Sequence, residues 1–157
     1  MNLSFLSRRT GTALKKRGQI LVTAESCTGG WVAQAVTSVA GSSEWFERGY
    51  VTYSNAAKRE ALGVRAATLA RFGAVSEQTA REMARGAMKR SRGTIALSIT
   101  GIAGPGGGLP DKPVGTVCFG WAQGRRIRSD TKRFKGGRAS VRRQSVVHAL
   151  RGVLKWL

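Results

Sequence analysis

The sequence predicts a three-layer α/β/α fold around a mixed, mostly parallel central sheet, in one domain spanning residues 1–157. Apolar residues at helical spacing alternate along the chain with short β-branched and aromatic runs, the pattern of strands connected by helices. Two polar, glycine-containing loops, Ser26 to Gly30 and Thr100 to Gly108, each follow a strand-like run, which is where open α/β sheets bind ligands. A chain of 157 residues is also the right size for one hydrophobic core.

The elements follow in order. Leu3, Leu6, Ala13 and Leu14 recur at helical spacing up to Gly18, whose tolerance of positive φ suits a helix end. Gln19 to Ala24 reads as a buried strand, and an apolar helix from Trp31 to Val39 comes after it, closed by Gly41. Gly49 to Tyr53 is a second strand by its β-branched and aromatic content, and Asn55 is the candidate cap of a short helix that carries Lys58 and stops near Gly63. Ser76, with Glu77 behind it, opens a longer helix to about Arg90, with Ala80, Met83, Ala84 and Ala87 on its inner face. Thr94 to Thr100 is the third strand. Val114 to Ala122 and Ile127 to Phe134 flank a polar turn and read as an antiparallel hairpin. A last helix from about Arg138 buries Val146, Val147, Leu150, Val153, Leu154 and Leu157, which puts His148 on its opposite face.

Composition excludes several classes. With 41% hydrophobic residues the chain can bury enough surface to fold, so disorder is excluded for most of it. Two cysteines, Cys27 and Cys118, are too few for a disulfide scaffold and suit a reducing compartment. No stretch approaches the roughly 20 apolar residues that span a bilayer, and Met1 to Arg9 lacks the apolar region of a signal peptide; a cytoplasmic protein without a membrane partner is expected. The formal charge of +19 favours anionic ligands, above all in the segment from Arg125 to Leu157, which holds eleven Lys or Arg against one acid, Asp130. Nonspecific binding to nucleic acid stays open on charge alone, although the aromatic residues sit in apolar runs rather than among the arginines. A homodimer is the default assembly.

Elimination narrows the chemistry. The chain has one histidine, on the wrong face of the last helix for a Ser-His-Asp triad, and no His, Cys or acid spacing of the kinds that hold a metal. Ser26 stands at a helix start with Thr28, Gly29 and Gly30, where free backbone N–H groups suit an anion or a developing oxyanion; the same geometry also describes a plain helix cap. The base left to activate a hydroxyl is lysine, which must be neutral to act and therefore needs burial or neighbouring cations to lower its pKa from about 10.4. Lys58 is the best placed, just past a strand end, with Tyr53 close enough in sequence to relay a proton or hold the amine. Cys27, a thiol at a helix start, is either reactive or a buried inert group.

Taken together, the runs Ala24-Glu25-Ser26-Cys27-Thr28-Gly29-Gly30-Trp31, Trp45-Phe46-Glu47-Arg48-Gly49, Tyr53-Ser54-Asn55 with Lys58, Gly73-Ala74-Val75-Ser76-Glu77, Thr100-Gly101-Ile102-Ala103-Gly104-Pro105 and Lys112-Pro113-Val114-Gly115-Thr116-Val117 resemble the CinA C-terminal domain family. The resemblance covers nearly the whole chain. It implies hydrolysis of the carboxamide of nicotinamide mononucleotide to nicotinate mononucleotide and ammonia, a salvage step, with no metal and no cofactor. It further implies Ser26 as nucleophile, Lys58 as base and Tyr53 assisting, with Thr28, Gly29, Gly30, Thr100 and Gly101 as oxyanion or substrate contacts. Members that keep the nucleotide pocket without catalysis, in competence or damage responses, are the alternative the family offers. The family's late Gly-Asp-Arg-x-x-Val-Arg pattern is matched by Gly136 to Arg142, with Gly137 in place of the acid. Arg138 and Arg142, one helical turn apart, are the expected partners of a substrate phosphate.

Overall fold

The computed structural model describes residues 2–157; Met1 lies outside the described residues. Helix α1 (Leu3–Lys16) leads into strand β1 (Leu21–Glu25), helix α2 (Trp31–Thr37), a single 3-10 turn (Ser42–Glu44) and strand β2 (Phe46–Val51). Helices α3 (Asn55–Leu62), α4 (Ala66–Phe72) and α5 (Glu77–Lys89) precede strand β3 (Ile95–Gly101), the hairpin β4 (Thr116–Gln123) and β5 (Arg126–Arg133), and helix α6 (Arg138–Trp156). The strand order is β2-β1-β3-β4-β5. β1 pairs in parallel with both β2 and β3, while β4 pairs antiparallel with β3 and β5, so four strands run one way and β4 alone runs back.

The two sheet faces differ in side-chain size, and that difference sets the layers. One face presents Leu21, Ile95, Leu97, Ile99, Val117, Phe119 and Trp121, which pack against α1, α2 and α6. The other presents Val22, Ala24, Ala96 and Ala122 against α3 and α5, through Leu62, Met83, Ala84 and Ala87. Small residues here let a helix lie close: Gly120 faces the Ala80 carbonyl, and Ser98 Oγ donates to the same oxygen at 2.6 Å. Gly86 likewise lets α5 touch the Leu62 carbonyl at the end of α3, a contact no Cβ would permit.

Most expected elements are present with shifted ends. Ser76 caps α5 by accepting the Thr79 N–H at 3.1 Å, and the inner face of α5 is the expected one. The cap of α3 is a correction. Ser54, not Asn55, accepts the Ala57 N–H at 3.0 Å, because Ser54 holds the extended backbone of a cap while Asn55 is already helical. β2 begins at Phe46 rather than Gly49, since Glu47 and Arg48 belong to an edge strand that keeps polar residues in water. Leu154 in α6 and Leu157 just past its end stay only partly buried, at the margin of the core. His148 is half-buried rather than turned away: its ring lies edge-on to Phe119 with centroids 4.5 Å apart, and Nε2 meets the Asp130 carboxylate at 3.0 Å. Burial lowers its pKa against the opposing pull of Asp130. No helix among the described residues is long and apolar enough to cross a membrane.

Candidate active site

Three segments meet at the carboxyl ends of the parallel strands. β1 ends at Glu25, and Ser26 continues its line by donating its N–H to the Ile99 carbonyl of β3 at 2.9 Å. On the other side of β1, Thr52 beyond β2 donates its N–H to the Glu25 carbonyl at 2.9 Å. The chain then turns at Ser54 into α3, which brings Lys58 back toward the strand ends one turn later. The Lys58 amine donates to Ser26 Oγ at 3.1 Å and to the Thr52 carbonyl at 3.1 Å. Lys58 is 2% exposed and Ser26 is 7% exposed, so the pair lies largely out of water.

Burial acts on this amine as the sequence argument requires. It lowers the Lys58 pKa below the ordinary lysine value, with the nearby Cys27 acting weakly in the other direction. The largest buried side chains include this one lysine, and among the described residues no carboxylate pairs with it; it bonds a hydroxyl and a carbonyl. A neutral amine keeps two N–H donors and a lone pair, so it can hold the Thr52 carbonyl and still accept the Ser26 proton. Cys27 is of the opposite kind: burial pushes its thiol up to about 12, the behaviour of an inert buried group.

The pair opens on a cleft of about 270 Å³ lined by Tyr53, Asn55, Thr100, Gly101, Gly104 and Arg138, with the Ala74-Val75 segment on its far wall. Thr100 Oγ1 donates to the Ala74 carbonyl at 2.8 Å, which ties that wall to the end of β3. A larger depression of about 590 Å³ lies beyond Val75, among Phe72, Lys112, Cys118 and Arg133, and contains no comparable hydroxyl–amine pair.

The remaining expected residues fall into place unevenly. Tyr53 is 62% exposed at the rim, and its hydroxyl accepts from Arg138 at 3.0 Å, while the amine it was expected to hold takes the Thr52 carbonyl. Arg138 also donates to the Gly104 carbonyl at 2.8 Å, so two internal acceptors orient it without the family's acid. Arg142 faces the back of the Ser26 loop, donating to the Cys27 and Thr28 carbonyls at 3.0 and 3.2 Å. Thr28 is fully buried, and the Gly29 N–H is bonded to the Ser26 carbonyl at 3.0 Å, so this turn supports the serine from behind. Gly29 and Gly30 both take positive φ, which explains two glycines in succession.

Sequence reasoning missed Glu25. It is 1% exposed, and its carboxylate accepts from Thr28 Oγ1 at 2.6 Å, from Val32 N–H at 2.8 Å and from Ala33 N–H at 3.1 Å. The first turn of α2 is thereby occupied, where free N–H groups for an oxyanion were expected. An acid at the end of an otherwise apolar strand, in a chain with 8 acids, was the available signal.

Fold and site together define an α/β protein with a buried serine–lysine pair in a cleft at the carboxyl ends of parallel strands. Among the described residues, no group of three or more His, Cys, Asp or Glu is placed to hold a metal ion. The chain belongs to the CinA C-terminal domain family, whose model matches residues 3–157. It is 57% identical over 147 residues to the nicotinamide-nucleotide amidohydrolase PncC of Escherichia coli strain K12, covering 92% of this chain and 88% of that protein. A PncC of Pseudomonas putida is 48% identical over 153 residues, covering 98% and 96%. Among solved structures, a CinA superfamily protein from Klebsiella pneumoniae superposes with a TM-score of 0.96 at 41% identity, covering 99% of this chain and 97% of that one.

Proposed function

We propose that this chain is a nicotinamide-nucleotide amidohydrolase that converts nicotinamide mononucleotide to nicotinate mononucleotide and ammonia through a serine ester. The observation that carries the reading is the 3.1 Å contact between the buried Lys58 amine and Ser26 Oγ, together with the names of the relatives. Neutral Lys58 takes the Ser26 proton as Oγ attacks the carboxamide carbon. The resulting ammonium then gives that proton to the amide nitrogen, the C–N bond breaks and ammonia leaves. Water attacks the ester, again losing a proton to Lys58, which returns it to Ser26 Oγ as the acid is released. With the N–H groups of Gly29, Trp31, Val32 and Ala33 already bonded, this scheme takes the Cys27 N–H as the oxyanion donor because it is adjacent to the nucleophile. Arg138, which lines the cleft, is the cation that would meet the substrate phosphate in this scheme.

The test is ammonia release by the purified protein from nicotinamide mononucleotide. The expected result is multiple turnover, abolished to below about a thousandth in Ser26→Ala. No release, or full release by Ser26→Ala, contradicts the reading.

A further inference from the structure

We propose that Glu25 is a positioning residue for the Ser26–Lys58 pair, acting through its side chain on one partner and through its backbone on the other. The proposal rests on the reading of Ser26 as nucleophile. Its ground is a closed circuit of contacts. The Glu25 side chain holds Thr28, Val32 and Ala33, and so fixes both ends of the turn that begins at Ser26. The Glu25 carbonyl holds the Thr52 N–H, and the Thr52 carbonyl in turn holds the Lys58 amine. Nucleophile and base are thus both referred to one residue, directly adjacent to the nucleophile in sequence.

A helix cap alone does not account for this arrangement. The N-cap position of α2 is Gly30 at φ 100, with no capping side chain, and the carboxyl group that bonds its first turn comes instead from the end of β1, five residues earlier. Gly29 and Gly30 are the most conformationally free residues the loop has, and they lie within four positions of Ser26. Three bonds to one buried carboxylate remove that freedom where it would displace Oγ. Arg142 closes the loop from the other side through the Cys27 and Thr28 carbonyls. Displacement of a reacting atom by about 1 Å lowers turnover by about a hundredfold.

The experiment uses Glu25→Gln and Thr28→Val in the full chain, with Ser26→Ala as reference. Glu25→Gln turns an amide N–H against a backbone donor, and Thr28→Val removes the hydroxyl partner while leaving the carboxylate in place. Three quantities are read: kcat, KM and the rate at which a fluorophosphonate probe labels Ser26. The expected result for Glu25→Gln is a fall in kcat of about 10- to 100-fold with KM within about threefold, and a matching fall in labelling rate. Thr28→Val moves kcat and labelling in the same direction by a smaller factor, and it decides the matter if Glu25→Gln does not fold. Parental kcat and labelling in a folded Glu25→Gln, while Ser26→Ala is inactive, overturn the positioning role alone. Activity retained by Ser26→Ala overturns the nucleophile reading itself and is thereby told apart.

Discussion

Where β2, β1 and β3 run parallel, three segments arrive at one end of the sheet and bring Ser26, Thr52 and Thr100 together there. Where β4 and β5 return by a tight turn, one face of the hairpin meets α6 and the other meets α5. Trp121 stacks over Phe119, donates its Nε1 proton to the Ala149 carbonyl at 3.0 Å, and fills the space left by Gly152, where any side chain would overlap the indole. Arg128 covers the same ring at 4.6 Å. Both halves hide polar groups, but for different ends. In the hairpin half Trp121 is matched to a partner within the core, and the Arg128 Nε is buried against the indole without one. In the parallel half a lysine is buried among neutral partners, a state that disfavours its charge. The contrast teaches that the closely packed indole lies where the sheet is antiparallel and the buried amine–hydroxyl pair where it is parallel.

Substituting Lys58 tests the parallel half with the largest expected effect. Lys58→Met is expected to lower kcat by at least about a thousandfold. It is also expected to stabilise the fold near neutral pH. The sign follows from linkage: with its folded pKa lowered, Lys58 gives up a proton on folding that the unfolded chain still holds. Folding is therefore penalised below the folded pKa, and stability rises with pH through the window up to the unfolded value. Denaturant melts of both proteins check this; the advantage of Lys58→Met shrinks as pH climbs through that window.

The reverse pattern is expected in the hairpin half. Trp121→Ala should cost about 3–5 kcal/mol of stability by denaturant unfolding, since the ring is buried against α6. The kcat of the fraction that remains folded should stay within a few-fold of the parent. A large loss of stability in Lys58→Met, or a large loss of kcat in folded Trp121→Ala, would break the comparison.

The smallest effect concerns the start of α6. Gly137 occupies the N-cap without a side-chain bond, and a Cβ there meets nothing within 4 Å. Placing an acid at this cap with Gly137→Asp should raise stability by a few tenths of a kcal/mol to about 1 kcal/mol, from capping and the helix dipole. Thermal melts at low salt read this directly. Because Gly104 and Tyr53 already orient Arg138, kcat should change little.

What the sequence made legible followed from periodicity and from residues with special backbones. The apolar spacing of α1, α5 and α6, the Ser76 cap and the hairpin were all readable because each depends on neighbours within about a turn. Helix α4 was not, since its seven residues bury only Thr68 and leave no apolar stripe to read. Ser26 and Lys58 stood out by elimination and by resemblance, but nothing local told that Thr52 would hold the amine or that Arg142 would face the Ser26 loop. Glu25 escaped for the same reason: its partners Val32 and Ala33 are seven and eight residues away, a separation that belongs to no capping pattern. Burial, the property that makes both Glu25 and Lys58 consequential, appears only once the sheet and helices are packed.

The most direct test of the central claim, that a buried neutral lysine activates Ser26, is the pH dependence of kcat for nicotinamide mononucleotide between about pH 5 and 10. The account predicts a rate that rises with pH along a limb of unit slope and levels off at a pKa below the ordinary lysine value of 10.5, since burial lowers that of Lys58. A rate that is flat across the range, or that falls as pH rises, would contradict it.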